Sequence, residues 1–178
     1  MSSTRSAEEV HEEFRKNFGE EILHSYLQSR KVGKKERELK RVWIRISRAK
    51  FKDAVRFISK IQDSPHLCTI TGQDLDEEIE LIYHFSIFYG EPSKEIKVMI
   101  ATRAPKNDLK FETITDIIPG AILYEREQQD MLGVKIENIP DSRRVILPED
   151  FPDGLYPLRL DNNGISDGDK LVKYGKKW

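Results

Sequence analysis

HLCTITGQDLDEEIELIYHFSIFYGEPSKEIKVMIAT, residues 66–102, is the stretch on which the fold turns. It holds three strand-like runs, His66 to Thr71, Ile79 to Tyr89 and Glu95 to Thr102. Gly72 and the acidic DLDEE stretch divide the first two, and GEPS, a turn signal, divides the second pair. Connections this short pair strands antiparallel, because a parallel return needs a crossover of about a dozen residues or more. The middle run, with Leu81, Ile82, Phe85, Ile87 and Phe88, is apolar on both faces and predicts a central strand.

Upstream, RVWIRIS (41–47) alternates with Val42, Ile44 and Ile46 on one side, the pattern of a half-buried strand. Phe51, Ala54, Val55, Ile58 and Ile61 then recur at helical spacing, and Ser64-Pro65 stops that helix. Ser6 and Glu9 form a capping-box pattern that opens a first helix through Val10, Phe14 and Phe18. Ile22, Leu23, Tyr26 and Leu27 read as a further apolar helical face beyond Gly19, and RKVGKKERELKR (30–41) as a basic connector. Residues 1–105 thus predict an α+β domain of two layers, helices packed on one face of a mixed, mostly antiparallel sheet.

Residues 106–178 change character. A helix with Pro119 in its first turn should run to Leu132 and stop at Gly133. Pro140, Pro148, Pro152 and Pro157 follow, which predicts an extended proline-rich C-terminal tail that cannot be an interior strand. The polar, turn-rich end, residues 161–178, is expected to order only on a partner.

The composition narrows the function classes. A charged fraction of 34% with a net charge of −1 gives no overall attraction to nucleic acid or anionic lipid. Cys68 is the only cysteine, so no disulfide forms within the chain, and a reducing compartment is expected. Iron–sulfur ligation by this chain alone would need several thiolates. The N-terminus lacks a secretory apolar stretch, and Ile79 to Tyr89 is too short to span a bilayer, predicting a soluble intracellular protein. The Lys, Glu and Arg excess is similar to that of hyperthermophile proteins.

Little in the chain announces chemistry. His11, His24, His66 and His84 lack metal-ligand spacing, and a His66–Cys68 clamp falls short of the three or four ligands a zinc site takes. No Gly-rich phosphate loop is present. The basic runs 30–41 and 170–177, with Tyr174 and Trp178 for stacking, offer a nucleic-acid reading that rests on Lys31, Lys34, Lys35 and Arg37. Interleaved acidic residues and near-zero net charge favour a solvated surface and no nucleic-acid partner. Glu125, Glu127 and Asp130 form a carboxylate cluster open to an acid–base reading. Ile118, Ile122, Glu125, Gln129 and Leu132 lie on one helical stripe with a polar centre, which predicts a face that meets polar groups of another subunit.

The stretch from Glu125 to Arg159 resembles the 30 kDa subunit family of respiratory complex I, which includes subunits of membrane-bound energy-converting [NiFe] hydrogenases. Glu125-Arg126-Glu127, Asp130, Met131-Leu132, Ile139, Arg143 and Val145 keep the spacing of the family's motif. Pro148 to Phe151 and Tyr156-Pro157-Leu158-Arg159 are similar to its continuation. Ile139 stands where the motif has His or Lys, Gln129 and Leu132 replace aromatics of quinone-reducing members, and Asn138 replaces a common Gly. These departures lean toward the hydrogenase-like branch.

The resemblance implies a cofactorless subunit at the cytoplasmic face of the membrane, within the peripheral arm of a ferredoxin-linked, ion-translocating complex. Its partners would be a large subunit with the [NiFe] centre and a small subunit with a [4Fe–4S] cluster, joined through them to a membrane arm. NADH:quinone oxidoreductase and a sulfur-reducing relative are the alternatives within the family. The implied interface residues are Glu125, Arg126, Glu127, Gln129, Asp130, Leu132, Arg143, Phe151, Tyr156, Pro157, Leu158 and Arg159.

Overall fold

A computed structural model describes residues 5–34, 36–90 and 94–165. Residues 91–93 of the expected turn at 90–93 and most of the turn-rich end lie outside these residues, and the basic run 170–177 wholly so. The first helix, α1 (Ala7–Phe18), opens on the expected capping box: Glu9 N–H donates to Ser6 Oγ at 3.1 Å and Ser6 N–H to Glu9 Oε2 at 2.7 Å. It ends at Gly19, whose φ of +48° few other residues tolerate.

Beyond Gly19 the expected helical continuation is replaced by a strand, β1 (Ile22–Val32), paired antiparallel along its length with β2 (Arg37–Ile46). The apolar spacing there did not report burial: Leu23 is 62%, Tyr26 42% and Leu27 37% exposed. Cross-strand hydrogen bonds and Tyr26 stacked on Trp43 hold the segment extended. The basic connector is likewise a hairpin, turning at Gly33 (φ +70°), whose carbonyl accepts from Glu36 N–H at 3.1 Å.

Helix α2 (Phe51–Ile61) forms where periodicity predicts it and buries Phe51, Ala54, Val55, Ile58 and Ile61. It carries the chain across to the far edge of the sheet, where β3 (His66–Leu75), β4 (Glu78–Ile87) and β5 (Ile96–Pro105) return as the expected antiparallel meander. β5 closes the sheet by pairing parallel with β2, giving the order β1-β2-β5-β4-β3. The centre is therefore β5, with β4 flanked on both sides beside it. The apolarity of β4 reported interior placement, which either position satisfies.

Register divides the sheet into two faces. Val42 and Ile44 align with Val98 and Ile100, and these with Phe85 and Tyr83, on the helix-covered face. Phe51 meets Tyr83 with ring centroids 4.5 Å apart, and Phe14 meets Phe57 edge-on at 4.9 Å, joining α1 to α2. Residues 106–165 share this core through Phe111, Ile114, Ala121, Leu132, Val134 and Ile136. They include a two-stranded parallel pair not expected from the sequence, β6 (Lys110–Glu112) with β7 (Lys135–Glu137), and between them α3 (Ala121–Leu132). Pro119 lies in the turn ahead of α3 rather than within it.

Candidate subunit interface

Helix α3 rests on β3 at Gly72. A Cβ there would overlap Leu132 Cδ1 and Gln128 Oε1, so only glycine admits the helix at this height. Gln128, buried at this contact, donates to the Ile70 carbonyl at 3.1 Å. Because both colliding atoms end flexible side chains, Gly72→Ala is expected to cost about 2 kcal/mol rather than abolish folding. Denaturant unfolding checks this, and an unchanged midpoint would disprove the tight contact.

Glu125 has no solvent exposure. Its carboxylate accepts from Thr113 Oγ1 at 2.6 Å and Ile114 N–H at 2.9 Å, tying α3 to the loop after β6. Burial pushes its pKa above the ordinary carboxylate value, while these two hydrogen bonds pull it back. Gln129 accepts from Ile136 N–H at 3.2 Å. The polar centre of the stripe therefore meets polar groups of its own chain, and Leu132 at its end is core.

The other motif residues bind the tail. One oxygen of Asp130, Oδ2, accepts from the N–H groups of Val145, Ile146 and Leu147 at 2.9, 2.8 and 3.1 Å. Arg126 donates to the Arg143 and Arg144 carbonyls at 2.7 and 3.0 Å, and lies 3.3 Å from Asp141. Arg143 hydrogen-bonds Asp141 and holds that carboxyl far below the usual range, yet its own side chain is 84% exposed. Arg144 gathers the carbonyls of Pro148 and Phe151 at 3.1 and 2.6 Å and the Asp153 carboxylate at 2.7 Å.

The tail then returns to the body. Leu158 N–H donates to the Met131 carbonyl at 2.9 Å, and the Tyr156 ring lies where a Cβ on Gly133 (φ +70°) would sit. Arg159, 7% exposed, donates to the Leu132 carbonyl at 3.2 Å and pairs with Asp161 and Asp74. Asp74 also takes Lys106 Nζ at 2.7 Å and Leu160 N–H at 3.0 Å. Arg159, with Lys106, keeps the Asp161 carboxyl well below its ordinary value.

Four of the twelve expected interface residues, Glu125, Asp130, Leu132 and Arg159, are thus buried within this chain, and Arg126 and Gln129 are engaged there. Glu127 is half-buried with no polar partner among the described residues, and Phe151, Tyr156 and Pro157 are half-buried. Leu158 is 50% exposed. Leu123, Ile146 and Leu160 are also more than half exposed. Asp74, Lys106, Thr113 and Arg144 were not foreseen. Arg144 follows a motif arginine in sequence, but the other three lie far along the chain with no local signal. Among the described residues no three His, Cys, Asp or Glu are grouped to hold a metal, and no helix is long and apolar enough to cross a membrane.

The α+β layer, its signature helix and the strap that helix holds together define a subunit of the complex I 30 kDa type. The chain belongs to the family of the 30 kDa subunit of respiratory-chain NADH dehydrogenase, whose sequence model matches residues 44–167. It is 38% identical over 133 residues to the beta subunit of the membrane-bound hydrogenase of Pyrococcus furiosus, covering 75% of each chain. It is 30% identical over 166 residues to the C/D subunit of NADH-quinone oxidoreductase from Acinetobacter baumannii, covering 88% of this chain and 25% of that one. Among solved structures, it superposes on a chain of the membrane-bound sulfane sulfur reductase, an archaeal respiratory membrane complex. The TM-score is 0.70 at 25% identity, over 96% of this chain and 92% of the other.

Proposed function

We propose that this chain is the cofactorless structural subunit of a membrane-bound, hydrogenase-type complex. It would sit at the cytoplasmic face of the membrane and support a [NiFe]-type large subunit and a [4Fe–4S] small subunit. The observation that carries this reading is the strap. Buried Asp130 and Arg159, with half-buried Arg126, fix residues 141–161, and the fixed segment exposes Ile146, Leu158 and Leu160. Ordering these groups before docking reduces the entropic cost of association. Exposed apolar Ile146, Leu158 and Leu160 and exposed, charged Arg143 on one fixed segment suit the core and rim of a contact between subunits. Ferredoxin as donor and coupling to ion translocation belong to the same reading, through the partners.

The similarity to the P. furiosus hydrogenase protein, over three quarters of both chains, supports the branch. The A. baumannii relative supports the kind of neighbour, since three quarters of that chain lies outside the match, on the same polypeptide. The test is affinity purification of the full chain from membranes in mild detergent. The expected result is co-recovery of a large subunit with [NiFe] ligands and an iron–sulfur small subunit. Ile146→Asp with Leu158→Asp should reduce that recovery at least tenfold without changing the melting temperature. Recovery of the wild-type chain alone, from the soluble fraction, would refute the proposal.

A further inference from the structure

The helices α1, α2 and α3 all cover one face of the sheet, and the opposite face carries no layer of this chain among the described residues. That open face is not a plain solvated surface. Tyr26 and Trp43 stack in parallel at 5.9 Å and 6°, and His84 meets Trp43 edge-on at 6.4 Å. Two shallow depressions of about 290 and 270 Å³ flank Trp43, floored by Met99 on one side and by Ile82 and Ala101 on the other.

Charge on this face is uneven. By register Arg30, Arg37, Arg41, Arg45, Lys97 and Arg103 share this face with Glu78 and Glu80, and Glu95 joins it through a hydrogen bond from Ser86, so six cations stand against three carboxylates, or +3, on a chain of net charge −1. Glu80 is buried and takes Arg45 at 2.6 Å, Arg103 at 2.8 Å and Gln73 at 2.7 Å; burial alone would raise its pKa, but these hydrogen bonds hold it below the ordinary value. Lys97 pairs with Glu95. Arg30 and Arg41 are exposed and have no carboxylate partner among the described residues.

We infer that the open sheet face is a second docking surface, occupied by an acidic segment of another subunit that seats an apolar side chain beside Trp43. The inference rests on the reading of this chain as a subunit of a larger complex. Its size fits: five strands at about 4.8 Å spacing and about ten residues long span roughly 800 Å², one partner's share of a standard interface. Its charge selects the occupant. Among the described side chains the cations without a carboxylate partner here are Arg30 and Arg41, too few to neutralise a nucleic-acid backbone, or to match the four to eight typical of an anionic-lipid patch. A second copy would set like net charge against like, a juxtaposition that opposes pairing. Carboxylates meeting Arg30 and Arg41, around an apolar anchor, satisfy both the charge and the aromatic floor.

The experiment places a photo-reactive residue at position 26 of the full chain, in its own membranes, and identifies the cross-linked peptide by mass spectrometry. The expected product is an Asp- or Glu-rich peptide of a co-purifying subunit. Its yield should fall at least tenfold in Arg30→Glu with Arg41→Glu, exposed positions whose loss removes no internal ion pair. A melting curve of that variant matching wild type guards against misfolding, and Trp43→Ala should lower the yield independently. Cross-linking to lipid, nucleic acid or a second copy, or no cross-link while the complex co-purifies intact, would overturn the inference. A chain that leaves the membrane without partners would overturn the proposed function and this inference together.

Discussion

Glu125→Ala is expected to lower the melting temperature by roughly 6–12 °C, from a loss of about 3 kcal/mol in a chain of this size. Truncation removes the acceptor of two buried donors, Thr113 Oγ1 and Ile114 N–H, and leaves a cavity under α3. Glu125→Gln separates the carboxyl's shape from its charge. The amide oxygen still accepts from Ile114 N–H, and Thr113 Oγ1 can accept in turn. Because burial raises the folded pKa, the protonated carboxyl is the form the fold prefers. Its contribution is fully present below the ordinary value near 4.5 and is lost as pH rises through the raised folded value. The Gln variant lacks that loss, so its stability relative to wild type should improve as pH rises from about 4.5. Paired melts across pH check this, and a difference independent of pH would contradict a raised carboxyl.

Asp130→Ala is expected to release the strap while leaving the sheet intact. Three N–H groups converge on one oxygen, charge-assisted bonds that together hold residues 145–147. The segment is partly exposed, so water replaces some of the loss, and local opening should become easier by about 2 kcal/mol, roughly thirtyfold. Hydrogen exchange at Val145, Ile146 and Leu147 should accelerate by that order, with trypsin cutting faster at Arg143 and Arg144. Amides of β4 and β5 should exchange at wild-type rates. Uniform acceleration across the sheet would instead mean that Asp130 supports the global fold.

The parts of the fold legible in the sequence were those where periodicity and burial coincide. α2, β2 and the β3–β5 meander bury the side that their apolar spacing marks. β1 was misread because its apolar residues are exposed and its conformation is set by pairing with β2, a non-local effect. Three-residue β6 and β7 are too short to carry a pattern. At the candidate interface the important residues were visible but their direction was not. Glu and Gln in the middle of an apolar stripe imply polar partners, without saying whether those partners belong to the same chain. Gly72 looked like a strand separator, whereas its missing Cβ is what seats α3.

The contact between Leu160 and Asp74 spans 86 residues and brings nearly the last described part of the chain onto the end of β3. During synthesis the sheet can therefore form well before its strap. A nascent or truncated chain lacking Arg159 and Leu160 leaves Asp74 with Lys106 and the Asp76 N–H, and the Leu132 carbonyl without its guanidinium donor. The exposed apolar side chains of the strap then have no fixed geometry to offer. On the proposed reading, the strap's late closure on β3 sets when this chain can offer a partner an ordered surface.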